Sequence, residues 1–189
     1  MTGATSGLGH AAAEKLAGMG ARLVLIARDE ARGKATLSAM EKRNPNARHT
    51  IHCADLSLLA DMKRVGAEIA ATEPRIDIVI NNAGGAFAKR RVTADGLELT
   101  FATNHMSFFV LTRALLARVQ SSAPARIVNT ASMTYANGRI DFSNLQSEKS
   151  FSGTGAYANS KLCSVLFTRP PSCSPRRVCS TASQFTPVA

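Results

Sequence analysis

Four short runs that suit strands, three of them largely apolar, alternate with longer segments of helical composition, and this order constrains the fold more than any other feature of the chain. Apolar runs of this length between turn residues predict buried strands, and the intervening segments predict helices. Strands that alternate with helices in this way pair in parallel, so we predict an α/β fold with a doubly wound parallel sheet. The predicted strands cover residues 22–27, 49–53, 76–81 and 126–130, and the predicted helices cover 10–19, 29–42, 58–71 and 96–119.

A glycine-rich turn stands near the start of the chain. Gly3, Gly7 and Gly9, with Ser6 and Leu8 among them, precede a run of strong helix formers. Glycine lets the backbone turn tightly and approach a ligand closely, and the start of a helix offers unpaired N–H groups to a phosphate. The spacing Gly-x-x-x-Gly-x-Gly differs from the usual dinucleotide fingerprint. The turn is therefore either a pyrophosphate-binding loop or an ordinary loop.

Polar residues end two of the later predicted strands. The strand over 76–81 runs on into Asn82 and Gly84, and the strand over 126–130 is followed closely by Ser132. Because open α/β sheets bind ligands outside the carboxyl ends of their strands, these residues are candidates for a binding site. The alternative is a simple strand-to-turn signal, which Asn and Gly often give.

Tyr157 and Lys161 are four residues apart, which is one turn of a helix, so both side chains leave the same face. A phenol with a pKa near 10 is a poor base at neutral pH, and an ammonium beside it favours the phenolate. The pair is thus a candidate for acid–base chemistry. The alternative is a surface Tyr and Lys on an amphipathic helix.

Taken in order, four motifs of the sequence resemble those of the short-chain dehydrogenase/reductase family, whose fold is of the Rossmann type. They are the Thr-Gly-x-x-x-Gly-x-Gly turn, Asn-Asn-Ala-Gly, the strand-end serine and Tyr-x-x-x-Lys. The resemblance covers residues 2–168, and the segments 138–149 and 161–169 are similar to the retinol-dehydrogenase-like branch. It implies hydride transfer between a nicotinamide cofactor and a hydrophobic alcohol or carbonyl such as a retinoid, a steroid or a related lipid.

The resemblance also implies a role for each matching residue. Tyr157 would be the general acid/base, Lys161 would lower its pKa and bind the nicotinamide ribose, and Ser132 would hold the reacting oxygen. Asn104 matches the fourth catalytic residue of the family, which supports a water-linked proton path; alternatively it is an Asn on a helix surface. The residues implied in cofactor binding are Gly3, Ser6, Gly7, Leu8, Gly9, Arg28, Asp55, Asn82, Gly84 and Lys161.

The choice between NADP and NAD depends on the end of the second strand of the fold. An acidic residue there would bind the 2′-hydroxyl of NAD, whereas an Arg accommodates the 2′-phosphate of NADP. Arg28 occupies this position, and Asp29 is predicted to cap the following helix, so we predict NADP rather than NAD. Asp55 would contact adenine, or else cap a helix, and Asn82 and Gly84 would line the adenine-ribose side.

The composition narrows the class of protein. The net charge of +10 and the pI of 10.1 first suggest a nucleic-acid binder, but the Lys and Arg are scattered and the aromatic content of 5% offers no stacking pattern. We therefore predict a small-molecule enzyme that binds no nucleic acid. The histidines and cysteines do not show the spacing of a zinc site, so no metal is expected.

Two further expectations concern location and assembly. The four cysteines lack a disulfide spacing pattern, and no apolar run is long enough to span a bilayer. We therefore expect a cytoplasmic protein whose chain carries no membrane anchor. A homo-oligomer is left open.

Both ends of the chain depart from the family pattern. The glycine turn of this fold should follow a first strand, yet only Met1 precedes Thr2, which predicts either a gap in the sheet or direct pairing of its neighbours. Four of the seven prolines and two of the four cysteines fall after Thr168. We predict an incomplete dinucleotide-binding and catalytic domain over 1–168 that lacks the first strand and the C-terminal strands, and a disordered Pro/Ser/Cys-rich tail over 169–189.

These departures leave two hypotheses of different classes. The first is a working NADP-dependent oxidoreductase, which the four motifs favour. The second is a truncated, non-catalytic remnant that is at most a weak nucleotide binder, which the missing ends favour.

Overall fold

A computed structural model describes residues 1–168 and 178–184, the latter only as a strand. Within it the chain forms two compact units. Unit 1 comprises Met1–Asp55 together with Asn81–Ala83, and unit 2 contains the other described residues. The sequence placed all of residues 1–168 in one domain, and that grouping stays a prediction.

Unit 1 contains two helices and a pair of parallel strands. They are α1 (Gly7–Gly18), β1 (Val24–Ala27), α2 (Glu30–Arg43) and β2 (Thr50–Cys53). Strand β1 pairs with β2 in register from Val24 opposite Thr50 to Ala27 opposite Cys53. Ahead of the glycine turn, Thr2 adds one isolated parallel bridge to Ile26.

The core of unit 1 combines small residues from α1 with larger ones from the elements that pack on it. Gly9, Ala13 and Ala17 are the buried positions of α1, four residues apart, so they form one stripe along the helix. Because these side chains are small, the larger core residues of unit 1 can pack close to the backbone of α1. The fully packed hydrophobic residues are Ala4, Ala13, Ala17, Leu23, Leu25 and Met40.

Helix α2 begins where the sequence predicted. The Asp29 carboxylate accepts a hydrogen bond of 2.8 Å from the backbone N–H of Arg32, as an N-cap residue does. The prediction that Asp29 caps this helix is confirmed. Asp55 does not cap the next helix, because the N-cap residue of that helix is Leu58.

Unit 2 contains the remaining helices and strands, except that Asn81, the last residue of β3, groups with unit 1. These elements are α3 (Leu59–Thr72), β3 (Ile78–Asn81), α4 (Leu99–Phe101), α5 (Ser107–Ser121), β4 (Ala125–Ala131), α6 (Gly153–Thr168) and β5 (Val178–Gln184). Helices α4 and α5 form one continuous helix that is interrupted by a π-helical turn over Ala102–Met106. Two short 3-10 helices, Met133–Asn137 and Phe142–Asn144, follow β4.

The described strands form two sheets, one with the order β1-β2 and one with the order β3-β4-β5. The α/β class with parallel strands is confirmed. Within the described residues, β1 and β3 belong to separate sheets, so the direct pairing that the sequence left open is not formed.

Strand β5 corrects one part of the prediction for the tail. The sequence predicted no strand after Thr168, but β5 pairs in parallel with β4 from Val178 opposite Ala125 to Gln184 opposite Ala131. The sequence of β5 consists mostly of small and polar residues and has no apolar run. Because main-chain groups make this pairing, a pattern of apolar residues does not indicate it. Residues 169–177 and 185–189 lie outside the described residues, so the disorder predicted for them stays a prediction.

Candidate active site

The glycine turn of unit 1 has space only for glycine at two positions. Gly3 has a φ of +68°, and a Cβ added there would lie 2.8 Å from the Ala83 Cα. A Cβ on Gly9 would overlap the carbonyl oxygen of Gly3. The turn leads directly into α1, where Ser6, Gly7 and Leu8 are exposed and the Ser6 side chain makes no capping bond. The Ser6 side chain therefore does not occupy the first N–H groups of α1, which leaves them available to an anion.

Asn82 and Thr2 hold this turn in place. The Thr2 hydroxyl oxygen accepts hydrogen bonds of 2.9 Å from the backbone N–H groups of both Asn82 and Ala83. The Asn82 amide nitrogen donates to the carbonyl oxygens of Thr2 and Gly3 at 3.3 and 3.2 Å. Asn82, predicted as a cofactor contact, thus also fixes the shape of the turn. Thr2 begins the sequence motif of the turn but was not among the residues predicted to bind the cofactor.

Unit 1 has one arginine directly after β1 and another on the first turn of α2. Arg28 directly follows β1 and is exposed, and within the described part of the chain its guanidinium makes no hydrogen bond or ion pair. Arg32, on the first turn of α2, donates a hydrogen bond of 3.2 Å to the Thr5 carbonyl oxygen in the glycine turn. The sequence missed Arg32, although its position four residues after Arg28 was available as a signal. Asp55 lies in unit 1, two residues after β2.

In unit 2, a π-helical turn places Asn104 in a fully buried position, where its relative exposure is 0%. Its amide nitrogen donates to the Gly85 carbonyl oxygen at 2.9 Å and to the Ser160 hydroxyl at 3.0 Å, and its amide oxygen accepts from the Gly85 N–H at 2.8 Å. The Ser164 hydroxyl donates to the Asn104 main-chain carbonyl at 3.1 Å. Asn104 therefore joins its own helix to α6 and to the loop after β3.

Gly84 has its place beside Asn104 because it lacks a side chain. A Cβ on Gly84 would lie 2.7 Å from the Asn104 amide oxygen and 3.7 Å from the Lys161 ammonium nitrogen. The loop after β3 therefore passes directly over these two residues. The role predicted for Gly84 at the adenine-ribose side stays a prediction.

Ser132 follows the end of β4 and is 2% exposed. The 3-10 helix after it packs closely on α6, because a Cβ on Gly138 would lie 2.8 Å from the Ala158 carbonyl oxygen. The Arg139 N–H also donates to the Asn159 side chain at 2.7 Å. The segment that carries Ser132 is therefore fixed against the helix of Tyr157 and Lys161.

Helix α6 places Tyr157 and Lys161 on one face, as the spacing predicted. The Lys161 ammonium nitrogen lies 5.6 Å from the centre of the Tyr157 ring and donates to the Thr130 carbonyl oxygen of β4 at 2.9 Å. Lys161 is 4% exposed, and burial lowers its pKa to about 8. Among the described residues the Tyr157 hydroxyl makes no hydrogen bond, so no protein group uses its donor or acceptor positions.

The buried Lys161 ammonium makes a testable contribution to pH-dependent stability. Its folded pKa of about 8 lies below its ordinary value, so above about pH 8 the unfolded chain holds a proton that the folded chain has released. The stability of the wild type relative to Lys161→Met should therefore rise from about pH 8 to pH 10, by on the order of 2 kcal/mol. Urea unfolding of both proteins without cofactor measures this difference. A difference that is flat or falls over this range would contradict the burial of a titrating ammonium.

A family model described as short chain dehydrogenase matches residues 1–171. The chain belongs to the short-chain dehydrogenase family. Its sequence is retinol-dehydrogenase-like: it is 40% identical over 169 residues to Retinol dehydrogenase 12 of Homo sapiens, a match that covers 89% of this chain and 54% of that protein. Retinol dehydrogenase 14 of Mus musculus is 37% identical over 179 residues, with the same two coverages. The chain thus spans about half the length of the curated relatives it matches.

Solved structures agree with the fold. An uncharacterized protein from Mycobacterium Paratuberculosis is 34% identical with a TM-score of 0.76, over 88% of this chain and 58% of that one. A short-chain dehydrogenase from Sphingobium yanoikuyae, solved in complex with NADPH, is 28% identical with a TM-score of 0.68, over 89% of this chain and 61% of that one.

The family-implied residues divide between the two units. Unit 1 holds the glycine turn, Arg28, Asp55 and Asn82, and unit 2 holds Gly84, Asn104, Ser132, Tyr157 and Lys161. The described residues contain no group of three or more His, Cys, Asp or Glu side chains that could hold a metal ion. No helix in the described part is long and apolar enough to cross a membrane.

Proposed function

We propose that the protein is an NADP-dependent oxidoreductase that interconverts an alcohol and a carbonyl on a hydrophobic substrate such as a retinoid, a steroid or a related lipid. The observation that carries this proposal is the placement of Lys161. A nearly buried ammonium lies against the Tyr157 ring and bonds to the β4 carbonyl oxygen two residues before Ser132. The names of the relatives, retinol dehydrogenases, support an alcohol group on an apolar substrate.

Each unit by itself offers groups that suit one part of a nicotinamide dinucleotide. The glycine turn of unit 1 forms a cradle that a Cβ would fill, and the start of α1 favours an anion. An ammonium has three hydrogens, and among the described residues only the Thr130 carbonyl accepts one from Lys161. A ribose hydroxyl would provide a second acceptor. The cofactor, when bound, supplies the hydride chemistry.

The side chains of unit 2 then have distinct tasks. The Tyr157 phenol gives a proton to the substrate oxygen during reduction, and the Tyr157 phenolate takes up the alcohol proton during oxidation. The charged Lys161 favours the phenolate form of Tyr157, which brings that phenol closer to working pH. Ser132 donates a hydrogen bond to the same substrate oxygen and stabilises its developing negative charge.

Asn104 acts as a positioning residue in this proposal. Both sides of its amide group have protein partners, so it holds Gly85 and Ser160 rather than a substrate. Glu98, which is 1% exposed, supports this helix from its start, because its carboxylate accepts hydrogen bonds from the N–H groups of Thr100 and Phe101. A water-linked proton path through Asn104 stays a prediction.

Thermal shift with NADP and with NAD tests the cofactor. A ligand at a hundredfold excess over its Kd adds about 2.7 kcal/mol to the free energy of unfolding. We expect NADP to raise Tm more than NAD, because exposed Arg28 is available to the 2′-phosphate. Arg28→Gln should reduce the NADP shift and leave the NAD shift unchanged.

Lys15→Gln is the matched control for Arg28→Gln, since Lys15 is an exposed cation of the same unit but lies near the far end of α1. This change should alter neither shift. A larger shift with NAD would overturn the role given to Arg28. No shift with either nucleotide would remove the oxidoreductase proposal and favour the non-catalytic alternative.

A further inference from the structure

Ser132 is the acceptor of two hydrogen bonds from a single neighbour. The backbone N–H of Thr134 donates to the Ser132 hydroxyl oxygen at 3.3 Å, and the Thr134 hydroxyl donates to the same oxygen at 2.9 Å. Ser132 itself has an extended backbone, with φ −154° and ψ 150°, and stands at the N-cap of the 3-10 helix Met133–Asn137. Both hydrogen bonds to the Ser132 hydroxyl oxygen therefore come from the residue two positions further along the chain.

The number of hydrogen-bonding positions on a serine decides where its proton can go. A serine hydroxyl has two acceptor lone pairs and one hydrogen. The two donors of Thr134 use both lone pairs, and among the described residues no other protein atom bonds to this oxygen. The hydroxyl hydrogen of Ser132 is therefore directed away from Thr134 and is free to be donated to a third group. A hydroxyl that already accepts hydrogen bonds is also a stronger donor, because successive bonds polarise one another.

We infer that Thr134 is a positioning residue that directs the hydroxyl proton of Ser132 towards the reacting oxygen and strengthens that hydrogen bond. This inference rests on the proposed function for the identity of the third group. It adds a residue outside the four-residue catalytic set. An ordinary helix cap would need only the Thr134 N–H, whereas the additional contact from the Thr134 hydroxyl makes the side chain itself part of the arrangement.

The inference predicts a kinetic effect that depends on Ser132. Thr134→Val removes the hydroxyl and keeps the branched shape and the backbone N–H. It should lower kcat/KM by up to about tenfold, mainly through kcat, because the Ser132 bond strengthens as charge develops on the substrate oxygen. Thr134→Ser should restore the activity. In a Ser132→Ala background, Thr134→Val should have no further effect.

A thiol titration tests the same contact without substrate or cofactor. In a Ser132→Cys variant, hydrogen bonds from Thr134 would stabilise the thiolate and hold the pKa of the new thiol down. Adding Thr134→Val should raise that pKa by about one unit, whereas adding Thr134→Ser should leave it unchanged. Thiolate absorbance near 240 nm reports the titration, and the same variants with Ser132 intact provide the baseline for the four native cysteines.

The outcomes separate the inference from the proposed function. If the wild type shows no turnover but Thr134→Val raises the pKa of the new thiol, the proposed oxidoreductase activity fails and the polarising contact stands. If the wild type is active and Thr134→Val matches it, or if the pKa of the new thiol is the same with Thr and with Val at position 134, the inference is overturned.

Discussion

Tyr157→Phe is expected to lower kcat by a factor of about 10²–10⁴, which is the contribution of a well-placed general acid or base. Phenylalanine keeps the ring beside the Lys161 ammonium, 5.6 Å from its centre in the wild type, and removes only the hydroxyl. Cofactor binding should therefore change little. Steady-state oxidation or reduction of a retinoid or steroid, followed by NADPH absorbance, measures kcat, and thermal shift with NADP measures binding.

Tyr135→Phe provides a matched control, because Tyr135 is the other tyrosine of the chain and lies three residues after Ser132. Within the described residues its hydroxyl makes no hydrogen bond, so removing it should leave kcat within about twofold of the wild type. Turnover by Tyr157→Phe at a similar level would refute the acid–base role of Tyr157. Loss of the NADP shift in that variant would instead indicate a damaged fold.

Gly9→Ala is expected to destabilise unit 1 and to abolish most of the stabilisation by NADP. Its Cβ would overlap the Gly3 carbonyl oxygen, so either the turn or the start of α1 must move. Overpacking of this kind costs about 1–3 kcal/mol. A moved turn would also misplace the N–H groups that we propose bind the phosphate. Urea unfolding and thermal shift with and without NADP measure the two effects.

Gly18→Ala is the control for Gly9→Ala on the same helix. No atom lies within 4 Å of the position of its Cβ, so the change should leave the free energy of unfolding within about 1 kcal/mol of the wild type, on the stabilising side. Its NADP shift should equal that of the wild type. If Gly9→Ala keeps the full NADP shift, the glycine turn is not the phosphate site.

The sequence predicted most of the described fold because the period of the apolar residues and the residues at element ends carry that information. Helix α2, capped by Asp29, is an example in which composition and local chemistry agree. The interruption of the helix by a π turn at Ala102–Met106 could not be predicted, since the contacts that its Asn104 makes with Ser160 and Ser164 of α6 join residues distant in sequence. Tertiary contacts decide such features, and local propensity does not contain them.

The sequence predicted which residues belong to the candidate site, but it did not predict which groups those residues hydrogen-bond. The spacing of Tyr157 and Lys161 indicated a shared face, which the structure has. Nothing in the sequence indicated that Asn82 would hold the carbonyl of Gly3, or that Thr134 would donate to Ser132. The first contact joins residues distant in sequence, and the second depends on the backbone conformation after β4.

The contact between Asn82 and Thr2 has a consequence for how the chain folds as it is made. The two residues are 80 positions apart, and unit 1 needs Asn81–Ala83 in addition to Met1–Asp55. During synthesis, α1, β1, α2 and β2 leave the ribosome before the residues that fix the glycine turn. The turn can therefore take its final shape only after Ala83 has emerged, which makes it the late-folding part of an otherwise local structure.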